Sequence, residues 1–269
     1  MKLKLLRLLL AFALIVEFRQ AHAQLLFSYG GAVGTLNNRD MRKFFDSYTR
    51  LVGNNMVKDN LRLGLAYGYS YSIDANFGSD GAGIWIQMRR SCMKSFASAE
   101  ATDGTRHFEV RQNNWSMPFG LAWYDEQGLF VTGAISFGYS GNYLLSSFEY
   151  PDGTTSMGTE RWLNGVFRSY SMSFAPMASA GFRPIRPLPM LVYGELAYFM
   201  PLMSSVFRER IYIDSNNYNL SDDKTYDTLP KDYEAFWADP DAYDTIDSKN
   251  QVRSGMFGWQ LVIGLKLIL

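Results

Sequence analysis

The sequence is poor in the residues from which compact catalytic and metal-binding sites are usually built. Among 269 residues there is one cysteine, Cys92, and there are two histidines, His22 and His107. A lone cysteine excludes an intrachain disulfide framework and a multi-thiolate zinc site. Basic charge is not in excess, because 26 Lys and Arg face 26 Asp and Glu. That balance argues against a nucleic-acid binder. Only 19% of residues are charged while 16% are aromatic, an unusual proportion for a soluble enzyme. Past residue 23, no apolar run reaches the roughly 18 residues that a membrane-spanning helix needs.

The first 23 residues have the organisation of an export signal. Lys2, Lys4 and Arg7 form a basic start, Leu8 to Val16 is an unbroken apolar run, and Ala21-His22-Ala23 is a small-x-small cleavage pattern. Residues 1–23 are therefore expected to be a cleaved signal peptide, with 24–269 forming a single domain. Cleavage removes four basic residues and one acidic residue, leaving 22 basic against 25 acidic. His22 is lost too, so His107 is the sole histidine of the mature chain.

What remains has a period of two. From Leu61 to Ile73 every odd position is large and apolar or aromatic, and every even position is small or polar. Successive strand side chains point to opposite faces, so this is a strand with one greasy side. The pattern recurs from Leu25 to Val33, Trp115 to Trp123, Val131 to Tyr139, Tyr170 to Phe182, Met190 to Tyr198 and Phe257 to Leu269, and more weakly from Ile84 to Phe96. About eight strands result. Their second face is rich in Gly and Ser, poor material for a soluble core but suited to the lumen of a barrel whose bulky side chains meet lipid. Connections alternate as well: 36–60, 97–105, 141–161 and 203–255 are the longer ones, while 76–82, 125–128 and 183–189 are short and rich in turn formers. The expected fold is all-β, an antiparallel up-and-down transmembrane β-barrel with short periplasmic turns and long extracellular loops.

The Gly-rich first strand Gln24 to Thr35, Pro118 within Trp115-Ser116-Met117-Pro118-Phe119-Gly120-Leu121, and the apolar last strand Trp259 to Leu269 resemble small Gram-negative outer-membrane barrels. The likeness is to the outer membrane protein beta-barrel domain family, which includes PorT-like barrels. It implies a bacterial outer-membrane location and a non-enzymatic role, displaying extracellular loops for binding or serving as a subunit of an envelope or secretion assembly. Outer-membrane lipid is the implied surrounding, and no cofactor is expected.

Several residues could carry chemistry. His107, with Glu109 beside it and Ser95 or Ser98 on the preceding strand, is the candidate for a lipid-modifying site of the lipid A acylhydrolase or acyltransferase type. A rim histidine in an ion network is the plainer reading. Arg62, Gln87, Arg89, Glu109, Arg111, Glu195, Gln260 and Lys266 fall on the inward parity of their strands. An eight-stranded barrel is only wide enough for side chains to fill, so they are expected to meet as a salt-bridged plug, or as a narrow porin's ion path. Arg90 and Lys94 fall on the outward parity, tolerable only near or above the outer interface. Phe108 and Val110 are apolar at even positions whereas Trp115 to Trp123 are apolar at odd ones, which predicts a bulge around Gln112-Asn113-Asn114.

Two connections have character of their own. Met41, Phe44, Phe45, Tyr48 and Leu51 have helical spacing, predicting a helix over the barrel mouth or, through Arg39, Arg42, Lys43 and Arg50, an interfacial helix on the outer leaflet. Residues 204–254 hold eleven acidic and six basic residues, a solvated acidic loop whose aromatics suit a protein partner. Asp239, Asp241, Asp244 and Asp247 are a weaker candidate for a cation site, lacking the Gly and bidentate Glu of a calcium loop.

Overall fold

The computed structural model describes residues 23–79, 81–125, 128–156, 163, 165–185, 188–210, 228–239, 247 and 249–269. The proposed signal, apart from Ala23, and much of 204–254 lie outside them. Eight strands form the barrel: β1 Ala23–Thr35, β2 Leu65–Ser79, β3 Ala82–Ala101, β4 Gly104–Tyr124, β5 Leu129–Glu149, β6 Gly165–Phe182, β7 Met190–Ser204 and β8 Gly258–Ile268. Each pairs antiparallel with the next, and β8 pairs with β1, so the ring is closed. Closure leaves no unpaired edge around the ring, the condition for β-structure to exist in hydrocarbon. The fold is an all-β antiparallel up-and-down barrel of the transmembrane type. At the turn end, Gly81 and Gly128 take φ of 87° and 90°, left-handed conformations that a side chain would strain.

Two connections expected to be loops are largely strand. β3 and β4 run on to a turn at Thr102-Asp103, and β5 continues to Glu149. These overlong strands rise above the rest of the barrel as a crown. Its flanks are extended by the short strands Met56–Asn60, paired with β3, and Arg208–Arg210, paired with β6.

The predicted bulge at 112–114 is absent. β4 keeps one uninterrupted register with β5 from Thr105 to Tyr124. Phe108, Val110, Asn114, Ser116 and Ala122 are all buried, so even positions face inward throughout. What changes along β4 is the environment. Lower down, the outside is apolar: Trp115, Met117, Phe119, Leu121 and Trp123 are 48–71% exposed. Higher up, the interior is apolar and the outside polar.

The crown's interior is filled by α1, Arg39–Val52. Asn38 caps it, its side-chain oxygen accepting from the Met41 amide at 2.9 Å. Met41, Phe44, Phe45 and Tyr48 make one buried stripe. Phe44 and Tyr48 meet the Phe108 ring edge-on, with centroids 5.8 and 5.9 Å apart. Tyr233 of α2, Tyr233–Ala238, packs on Phe44 at 5.8 Å. Of the two readings of this helix, the structure adopts the one at the mouth; its apolar face is spent on protein. Arg39, Arg42, Lys43 and Arg50 are exposed on its other side.

Candidate functional site

Inside the ring the small inward residues leave room for long ones. Arg89 on β3 forms an ion pair with Glu195 on β7, each side chain 2% exposed. Its Nη2 donates to Gln260 Oε1 at 2.7 Å and its Nε to Ser70 Oγ at 3.0 Å. Lys266 on β8 donates to Asp74 Oδ2 on β2 at 2.5 Å, with the two side chains 2% and 0% exposed. Ser72 donates to the other Asp74 oxygen at 2.6 Å, and Gln87 donates to Ser72 at 2.8 Å. The ammonium of Lys266 also lies 4.8, 5.2 and 5.4 Å from the ring centroids of Tyr193, Phe130 and Trp85, where the ring faces attract a cation. Two cations and two carboxylates thus neutralise one another across the lumen, as buried charges must.

Of the inward residues expected from the sequence, the structure brings together Gln87, Arg89, Glu195, Gln260 and Lys266. Arg62 and Arg111 stand apart. β2 begins only at Leu65, which leaves exposed Arg62 in the segment leading to the barrel. Arg111 and Glu109 face outward on the crown, where Arg111 donates to both Glu109 oxygens at 2.6 and 2.9 Å. Sequence reasoning missed Asp74. The signal was present: the alternating segment read as ending at Ile73 has Asp74 as its next inward position.

His107 also lies on the crown's outer face. Its Nε2 is 3.0 Å from Glu149 Oε2, with the side chains 45% and 48% exposed. Its partner is therefore Glu149, whereas Glu109 is engaged by Arg111 and lies 3.6 Å from Lys94. Ser98 and Ser147 sit directly opposite His107 on the two adjacent strands. Ser95 points inward and donates to the Gly64 carbonyl. A groove of about 1040 Å³ runs past this face, lined by His107, Glu109, Ser98 and Ser147 and by Asp46, Thr49 and Arg62.

Asp241 and Asp244 lie outside the described residues. Asp247 accepts from the Lys249 amide at 2.9 Å, a local turn. Among the described residues no three His, Cys, Asp or Glu side chains gather to hold a metal.

No protein-family model matches the chain, and no curated protein does. Solved structures similar to it include outer-membrane proteins. The major outer membrane protein of Thermus thermophilus is 12% identical with a TM-score of 0.40, the alignment covering 92% of this chain and all of that one. The Yersinia pestis attachment invasion locus protein Ail is 10% identical with a TM-score of 0.37, covering 91% and 99%. The Escherichia coli outer membrane protease OmpT is 8% identical with a TM-score of 0.36, covering 92% and 96%.

Proposed function

We propose that this chain is a non-conducting, non-enzymatic barrel of the bacterial outer membrane whose crown and loops are held outside the cell to bind a protein partner. One observation carries the reading: the chain turns inside out along its length. In the lower part the outward positions form a band of large apolar and aromatic side chains around an ion-paired lumen. In the crown the apolar residues turn inward around α1 and α2 and the outer face is polar. On β4 the band runs from Trp115 to Trp123. Nine residues at about 3.4 Å each, tilted by about 40°, make a band about 20 Å tall with an indole at either edge, near the lipid-facing band of outer-membrane barrels. No outward position of the eight strands below the row of Arg90 and Trp115 is charged, which suits hydrocarbon.

A lumen crossed by Arg89–Glu195 and Lys266–Asp74, all at most 2% exposed, argues for a plug and against an ion path. The crown, by contrast, is a pre-ordered platform, and α2 within the acidic 204–254 segment presents Trp237, half exposed, the kind of aromatic that anchors partners. A photocrosslinking residue at Trp237, introduced in cells, is expected to give one discrete adduct; a chain that stays uncoupled there and at neighbouring loop positions would sink the binding role.

The arrangement of His107 between Ser98 and Ser147, with Glu149 on its Nε2, favours lipid hydrolysis or acyl transfer as the second reading. The near-half exposure of both His107 and Glu149 speaks against it, because such chemistry gains from excluding water. A lipid A profile changed by His107→Ala would revive it.

A further inference from the structure

Where the crown meets the apolar band, the outward face carries a row of cations. Cross-strand pairing places Lys94 beside Arg111, Arg111 beside Tyr143, Tyr143 beside Arg168, and Arg168 beside Arg208 of the short flanking strand. Directly paired residues share a face, so the five side chains form one continuous line at about 4.8 Å per strand, spanning about 19 Å. Lys94 and Arg111 share one carboxylate, Glu109. Arg168 and Arg208 have no carboxylate partner among the described residues, and two like charges directly opposed on adjacent strands are destabilising. Arg168 is held instead over Tyr170 and Tyr143, its guanidinium carbon 4.6 and 5.5 Å from the ring centroids. Followed the other way from Lys94, the same pairing row meets Tyr67, Val33 and Leu261, all uncharged.

From this juxtaposition we infer that the Lys94–Arg208 row is a binding site for the phosphorylated headgroup of a membrane lipid, whose acyl chains lie along the band below it. An anion bridging Arg168 and Arg208 would relieve the repulsion between them, which no carboxylate among the described residues offsets. Phosphate suits guanidinium groups, which present paired donors to it. Below the row the outward positions pass through Tyr170 to Met172 on β6 and through Asn113 to Trp115 on β4, leading into the apolar band, so a lipid fits better than a soluble anion. The inference rests on the membrane reading given above.

The test uses the full chain refolded into phosphatidylcholine vesicles, with Trp123, Trp162 and Trp259 replaced by Phe so that Trp115 is the reporter on the outward face of the strands. Brominated-chain phosphatidic acid, as a minor component, should quench Trp115 more efficiently than brominated phosphatidylcholine, corresponding to roughly tenfold higher relative binding. Lys94→Gln with Arg168→Gln and Arg208→Gln should bring the ratio close to one. Arg208→Glu alone should lower it too, while leaving the barrel at least as stable, because it gives Arg168 an internal anion. No preference in the parent protein, or a preference that survives both variants, overturns the inference. Displacement of the preference by inorganic phosphate at concentrations matching the lipid also overturns it, in favour of a soluble anion. If the protein does not insert at all, shown by no quenching from either brominated lipid and no heat-modifiable gel mobility, the membrane reading falls and takes the site with it.

Discussion

Asp74 is fully buried beside an ammonium, and charges taken out of water support a fold only as a pair. Removing one partner leaves the other stranded. Lys266→Met alone is expected to cost about 3–5 kcal/mol of unfolding free energy, whereas Asp74→Asn together with Lys266→Met should be more stable than Lys266→Met alone. Urea titration of the protein refolded in vesicles measures both, and simple additivity of the two losses would show that the pair is not coupled. A backbone constraint operates nearby. Gly264 faces Gly30 across the β8–β1 pair, and a Cβ on Gly264 would stand 2.2 Å from the Tyr29 carbonyl oxygen. Gly264→Ala should therefore destabilise by about 1–3 kcal/mol, since the obstacle is main chain and cannot rotate away; an unshifted urea midpoint would refute this.

Among the elements, α1 depends most on its surroundings. Its stripe is buried against β4 and α2, and Phe44, 0% exposed, is central to it. Phe44→Ala is expected to cost about 3–5 kcal/mol of crown stability. The barrel below should persist: limited proteolysis should cut within α1 while the protein keeps its heat-modifiable mobility, and loss of both together would show crown and barrel to be one cooperative unit. Asn38→Ala, removing the cap, should cost about 1 kcal/mol and give a weaker version of the same proteolytic pattern. The helix itself was legible in the spacing of Met41, Phe44, Phe45 and Tyr48. Its location was legible only as one of two alternatives, because the cavity receiving it is lined by residues distant in the chain, such as Phe108, Leu144 and Phe207. The switch from even to odd apolar positions on β4 shows the difficulty well. Alternation reports which side of a strand meets apolar surroundings, and a shift in register or a change in surroundings produces the same pattern. Only the uninterrupted pairing of β4 with β5 distinguishes them.

On the scale of the whole molecule, the strand count, the order of pairing and the sign of the outward face followed from period-two alternation, which needs only neighbouring residues. The lengths of β3, β4 and β5 did not, since the crown's outer face is polar and reads like loop. The lumen pairs were legible as a set of inward polar positions, but which cation meets which carboxylate depends on inter-strand register. A barrel filled in this way should give no single-channel conductance in planar bilayers, and steady unitary currents would overturn the plugged lumen. The seam between β1 and β8 has a further consequence, for biogenesis. β1 has β8 as one of its two neighbours, so every length of chain that stops short of β8 carries an open edge and a half-exposed apolar band. Contacts between chain ends are slow to form because the whole intervening length must be ordered first, and exposed edges invite aggregation in the meantime. Sealing thus waits for β8, and a chain truncated before Gly258 should accumulate as chaperone-bound or degraded material instead of as a smaller barrel.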